Sequence, residues 1–289
     1  MESRERTKYM LMSKLARFGR VVSVAQKRIL DFLKEGGDDN EGSGRRSREI
    51  DKCYVSISWG KDSTVLLHLV ASLFGIDATR AISIQYGTPG LEGWTISKFD
   101  RWPDLVNVRD SFLSCYPVDY NEAFVESWWY LCEKFGCTPV ANDMAGGGEN
   151  ISLIEKMLIR SFEIAIDARA AELGCTHNLM GMRKEESNNR QRHFAMRGHT
   201  YFNKSRGFWC CNPLYDWKGN DIWAYIVKYD LPYSELYDLQ GGDRNTLRNG
   251  LMIGGGQARF GNFALFKKLY PSLWNEVCVT YPWLRAWSG

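Results

Sequence analysis

The chain predicts an α/β fold, a parallel sheet flanked by helices, with an N-terminal helical extension and a mostly helical C-terminal region. Three stretches carry that expectation. Residues 53–68, Cys-Tyr-Val-Ser-Ile-Ser-Trp-Gly-Lys-Asp-Ser-Thr-Val-Leu-Leu-His, alternate as a strand, turn through a glycine and open a helix whose apolar stripe is Val65, Leu66, Leu69, Val70 and Leu73. Residues 80–86, Arg-Ala-Ile-Ser-Ile-Gln-Tyr, read as a second buried strand that completes a βαβ unit and so requires parallel pairing. Residues 177–181, His-Asn-Leu-Met-Gly, read as a further parallel strand after a long helix.

From the N-terminus, residues 8–35 predict one amphipathic helix, because Leu11, Leu15, Phe18, Val22, Ala25, Ile29 and Phe32 recur at spacings of four and three. Nine Lys/Arg against four Asp/Glu in residues 1–35 make the opposite face basic. Such an extension either packs on its own core or another subunit, or forms a nucleic-acid- or partner-binding arm. Residues 36–50 are rich in glycine and charge and read as a flexible linker. Gly87, Pro89 and Gly90 are expected to end the second strand. Residues 121–136 read as a helix with Phe124, Trp128, Leu131 and Phe135 on one face, 144–149 as a glycine-rich connection, and 151–173 as a long helix capped by Gly174. The expected domains are the extension at 1–35, the linker at 36–50, a sheet domain over 51–206, and a substrate- or partner-binding region over 207–289.

The first strand-turn-helix is an anion-binding design. Gly60 lets the backbone bend, the N–H groups around Lys61 to Thr64 are the open donors of a helix start, Lys61 adds charge, and Ser58, Ser63 and Thr64 add hydroxyls. The plain alternative is a serine-capped helix after a buried strand. It is not a Walker A loop, since Lys61 is followed by Asp62. Ligands of parallel sheets sit outside the strand ends, so Gln85, Tyr86 and Thr88 are expected near the same pocket. Residues 181–190, Gly-Met-Arg-Lys-Glu-Glu-Ser-Asn-Asn-Arg, follow another strand and belong on the same rim. Arg183 and Arg190 are candidates for phosphate or sulfate oxygens because a planar guanidinium binds two oxygens at once. Glu186 either orients an arginine for that task or makes a purely structural pair. Residues 183–206 hold seven Lys/Arg against two Asp/Glu, interleaved with His193, Phe194, His199, Tyr201 and Phe202. That mixture suits a phosphorylated substrate, a single nucleic-acid strand, or a lid with a solvated charged face.

Ser58-Trp59-Gly60-Lys61-Asp62-Ser63 resembles the Ser-Gly-Gly-Lys-Asp-Ser loop of the PP-loop ATP pyrophosphatases, with Trp59 in place of the first glycine. Gly181, Arg183, Glu186, Ser187 and Arg190 match the Gly-x-Arg-x-x-Glu-Ser-x-x-Arg pattern of the phosphoadenosine phosphosulfate (PAPS) reductase-like branch. The segment from Asn212 to Asp238, with Pro213-Leu214, Trp217, Leu231-Pro232 and Leu236-Tyr237, is also similar to that branch and reads as scaffold, with Asp216 and Trp217 nearer the pocket. The resemblance implies an adenine nucleotide alpha hydrolase-like fold that binds ATP at Ser58 to Thr64, Gln85, Tyr86, Gly181, Arg183, Glu186 and Ser187. It implies Lys61, Asp62, Arg183 and Arg190 as catalytic groups, magnesium as a cofactor with Asp62 as its ligand, and cleavage of the α–β phosphate bond to adenylate an acceptor. Gln85-Tyr86 departs from the family, which often carries an acidic residue there. The family's reductases end in Glu-Cys-Gly-Leu-His, a motif not present in this sequence. That absence favours adenylation over sulfonucleotide reduction, with a slow-turnover nucleotide-binding or nucleic-acid-associated subunit as the other reading. Relatives include sulfur-assimilation enzymes and proteins of DNA sulfur modification, phage and mobile-element systems.

A length of 289 residues, 44% hydrophobic and 25% charged, fits one large globular α/β protein with additions. The net charge of +3 is too small to imply nucleic-acid binding by the chain as a whole. No apolar run approaches the roughly 18 residues of a membrane span, so the expectation is a cytoplasmic protein, in a homo-oligomer or complex. Its eight cysteines, Cys53, Cys115, Cys132, Cys137, Cys175, Cys210, Cys211 and Cys278, are then buried thiols rather than disulfides. Cys210-Cys211 suggests half of an iron–sulfur set, but no Cys-x-x-Cys follows it.

Overall fold

The computed structural model describes residues 1–34, 49–136, 148–239, 244–245 and 259–286. They form two compact units, each assembled from separated parts of the chain. The first unit comprises Met1–Ser83, Leu105–Glu122 and Asp167–Leu247; the second comprises Ile84–Asp104, Ala123–Ile166 and Arg248–Gly289.

In the first unit, strand β1 (Cys53–Ile57) runs parallel to the start of β2 (Arg80–Gly90), with Val55 opposite Ala81. On its other side it runs parallel to β5 (His177–Met180), with Cys53 opposite His177. Strand β5 is in turn parallel to β7 (Phe208–Cys211), and β6 (Thr200–Asn203) closes that edge antiparallel to β7. All three strands expected from the sequence are therefore present and parallel, as the fold class requires. Val55, Tyr54 and Leu179 are fully covered in the sheet. Helix α3 (Lys61–Phe74) lays Val65, Leu66, Leu69 and Val70 on the core and stops at Gly75, whose φ of +89° suits a residue without a Cβ.

The N-terminal extension differs from the single helix expected. It is two helices, α1 (Ser3–Ser13) and α2 (Ala16–Phe32), broken at Lys14-Leu15, and Leu11 and Leu15 are exposed rather than seated. The seam survives only in α2, where Phe18, Val22, Ala25, Ile29 and Phe32 are buried. Helix α1 instead buries Tyr9 against Trp223 of α8 (Gly219–Tyr229). Three arginines of the basic face pair with aspartates of the same unit: Arg6 with Asp230, Arg17 with Asp221 and Arg28 with Asp216. The linker expectation falls almost wholly on residues outside those described; its end, Glu49–Lys52, is a short 3-10 turn.

In the second unit β2 continues to Gly90 and pairs antiparallel with β3 (Gly93–Ile96), so Gly87 and Pro89 do not end the strand as expected. The hairpin supplies the pairing that lets the strand run on through them. Residues 121–136 also depart from the expected helix. The segment is strand β4 (Asp119–Glu126) followed by α5 (Trp128–Lys134), and Asn121, Ala123 and Val125 are buried at period two. Ser127 separates the two by capping α5, its hydroxyl accepting from Tyr130 N. The long helix α6 runs over Gly148–Glu172, and the glycine-rich residues 144–147 before it lie outside the described set. The unit's core is aromatic, with Trp102, Trp128, Trp129, Phe263 and Phe266 buried, the last two on α10 (Arg259–Leu269).

Candidate functional site

Ser58, Trp59 and Gly60 join β1 to α3, and all three belong to the first unit. The loop is closed by its own hydroxyls. Ser63 Oγ accepts from Ser58 N at 3.2 Å and donates to Gly60 O at 3.0 Å, while Gly60 N donates to Ser58 Oγ at 3.4 Å. Ser63 is thus committed to the shape of the loop, and Thr64 is buried beneath it. Ser58 and Asp62 stay partly exposed and form the visible rim.

Trp59 answers the question its replacement of glycine poses. Its φ of +61° is the left-handed conformation glycine would adopt freely, and its ring, only 2% exposed, lies against Phe112 (5.9 Å) and Tyr120 (5.6 Å). The indole therefore fills the core, and the backbone keeps the course that a glycine would give.

Lys61, the first residue of α3, is 3% exposed, with Nζ 3.2 Å from Asp62 Oδ2. Arg183, 1% exposed, donates from Nε to Asp62 Oδ1 at 2.5 Å and from Nη1 to Glu185 Oε2 at 2.9 Å and the Trp217 carbonyl at 3.4 Å. Burial alone would raise the Asp62 pKa; Lys61 and Arg183 outweigh it and hold the carboxyl below its ordinary range. Glu185 also accepts from Gly219 N at 2.7 Å, which ties the arginine to the start of α8. Gly181 brings the two halves together, since a Cβ there would stand 3.0 Å from the Asp62 carbonyl carbon and oxygen and 3.1 Å from Ser63 N. It serves close backbone approach.

Both Asp62 oxygens face cationic side chains, Arg183 Nε on Oδ1 and Lys61 Nζ on Oδ2, so a magnesium ion held there would have to share the carboxylate with them. Among the described residues no cluster of His, Cys, Asp and Glu has the form of a metal site. Glu186 accepts from Arg183 N at 2.9 Å and pairs with Arg190, while Ser187 caps α7 (Asn188–Arg197) through Arg190 N. In the basic stretch at 183–206, Arg183, Arg190 and Arg206 are paired with carboxylates of the same unit, Arg206 with Asp167. Gln85 and Tyr86 belong to the second unit, where the Tyr86 ring meets Phe162 at 5.5 Å and carries Arg101 above it at 5.1 Å. The site described is built from the first unit alone. Cys210 and Cys211 are fully buried on β7, and burial pushes the Cys210 thiol up to about 11. Arg244 pairs with Glu5 and Asp238.

Two participants escaped the sequence. Glu185 carries no signal beyond its charge. Tyr237, on the single-turn helix α9 (Leu236–Leu239), places its ring 5.2 Å beneath Lys61 Nζ and its hydroxyl 3.5 Å from Lys61 N, across 176 residues of chain.

Residues 165–274 match the phosphoadenosine phosphosulfate reductase domain family. An uncharacterised protein of Methanocaldococcus jannaschii is 23% identical over 262 residues, 86% of this chain and 55% of that one. The adenosine 5'-phosphosulfate reductase of Neisseria meningitidis is 38% identical over 60 residues, 20% of this chain and 22% of the reductase. The chain thus spans about half, or less, of the length of these relatives. The crystal structure of phosphoadenylyl-sulfate reductase from Candida auris superimposes with a TM-score of 0.50 at 16% identity, covering 84% of this chain and 94% of that one, a likeness of fold.

Proposed function

We propose, from the match of residues 165–274 to the phosphoadenosine phosphosulfate reductase domain family, that this chain is a PAPS reductase-like PP-loop protein that binds ATP and adenylates an acceptor, releasing pyrophosphate. The observation that carries the reading is Lys61, a buried ammonium at the first turn of α3, backed by a loop whose hydroxyls hold its shape. The loop, the helix start and Lys61 together offer backbone donors and a cation to a polyphosphate. A nucleophilic oxygen of the acceptor forms a bond to the α-phosphorus, the bond from that phosphorus to the bridging oxygen breaks, and pyrophosphate leaves with the electron pair. Lys61 stabilises the charge that gathers on the leaving group. Asp62 and Arg183 act as positioning residues, holding Lys61 and the Gly181 segment against α3. Arg190, partly exposed and tethered by Glu186, is the guanidinium nearest to serving a phosphate from the second motif. Magnesium, where used, would come with the nucleotide rather than through Asp62.

The test is pyrophosphate release from ATP labelled on the γ-phosphate, with cell extract as the source of acceptor. Labelled pyrophosphate from the wild type and none from Lys61→Ala is expected; labelled orthophosphate with ADP would overturn the reading. The buried Cys210 and Cys211 thiols do not favour a reductase, since the attacking species would be an accessible thiolate.

A further inference from the structure

Tyr237 stands where the leading donor of α3 would meet an anion. Its hydroxyl is 3.5 Å from Lys61 N and its ring lies 5.2 Å from Lys61 Nζ. The side chain is held in place from behind. Tyr237 is buried, its ring meets Trp223 edge-on at 5.1 Å, Leu236 beside it is fully covered, and Asp238 on its other side is tied to Arg244, Tyr233 and the Met1 amine. Swinging the phenol out of the way would unpack that whole corner. An incoming phosphate therefore meets the hydroxyl in place, and a phenol can donate its proton to an anionic oxygen while the ring face steadies the Lys61 ammonium.

We propose that Tyr237 is a polyphosphate-binding residue, its hydroxyl donating to a pyrophosphate oxygen at the start of α3 beside Lys61. The inference rests on the proposed nucleotide function and adds to it a residue outside both sequence motifs. It confines the effect to the pyrophosphate end of the ligand, leaving the adenosine and α-phosphate untouched.

Calorimetric titration of the full chain with inorganic pyrophosphate, ATP and AMP tests it. Tyr237→Phe keeps the ring, its contact with Trp223 and its place under Lys61, and removes only the hydroxyl. The expected result is a Kd for pyrophosphate and ATP raised about tenfold or more, the loss of one hydrogen bond to a charged group, with AMP affinity unchanged. Unchanged or tighter pyrophosphate binding by Tyr237→Phe, with binding lost in Lys61→Ala, overturns the inference and leaves the nucleotide function standing. An equal loss for AMP also overturns it, because a general disturbance of the fold would do that. A wild-type chain that binds neither pyrophosphate nor ATP overturns the function and the inference together.

Discussion

Replacing Trp59 tests the account of the loop in a way that opposes intuition about residue size. Trp59 is 2% exposed and lies against Phe112 and Tyr120, so Trp59→Ala loses its burial and leaves a cavity, a cost of about 3–5 kcal/mol. Alanine also inherits the φ of +61°, which costs an L-residue about 1–2 kcal/mol and costs glycine almost nothing. Against that, glycine has the freer unfolded chain, worth roughly 0.4–1 kcal/mol. The difference predicts that Trp59→Gly is the more stable of the two by about 0.5–1 kcal/mol, although both are destabilised. Urea denaturation at 25 °C and pH 7 measures it, through midpoints compared at equal m-values. A Trp59→Ala protein as stable as Trp59→Gly, or more so, refutes the claim that the left-handed backbone is intrinsic to this loop.

His68, buried between Tyr116 (3.2 Å) and Tyr225 (2.9 Å), has its pKa lowered to about 4 by burial. The unfolded chain binds its proton more readily, so this stability is complete above about pH 6.5 and is lost as pH falls towards 4, by roughly 2–3 kcal/mol. Urea midpoints should show that slope, and His68→Gln should flatten it; an unchanged slope refutes the assignment. Asp100 carries the opposite sign: burial raises it to about 6, so its contribution is present below about pH 4 and lost as pH rises through 6. Asp100→Asn, which keeps an acceptor for Trp128 N, should therefore stabilise the protein at pH 7 by about 1–3 kcal/mol, and a lower midpoint at pH 7 would refute this. Gly181→Ala would press its methyl into the Asp62 backbone at 3.0 Å, destabilising the chain by about 1–3 kcal/mol and weakening ATP binding. Wild-type stability and affinity in that variant would show that the two segments have slack.

The sequence by itself determined the parts whose cause is local. The alternation of residues 53–57, the glycine at the turn and the apolar stripe after it depend only on neighbours within a few positions, and β1, the loop and α3 stand where that pattern puts them. The same holds for β5 and for the parallel order of β1, β2 and β5, since a helix between two strands leaves few ways to connect them. Where a local pattern served two structures, tertiary pairing chose. Phe124, Trp128, Leu131 and Phe135 fit a helical face, yet Asn121, Ala123 and Val125 fit a strand, and Ser127 divides the stretch between them. The N-terminal seam ran past its true end because Leu11 and Leu15 keep the spacing without a surface to cover. The site shows the limit most clearly. Both motifs were legible, but the partners of their residues were set by contacts between distant segments. Nothing in the spacing shows that Arg183 and Lys61 stand on the two oxygens of Asp62, and Tyr237 reads as scaffold until it is found beneath Lys61. Electrostatic partners and close approaches are set by folding in three dimensions, and no spacing along the chain encodes them.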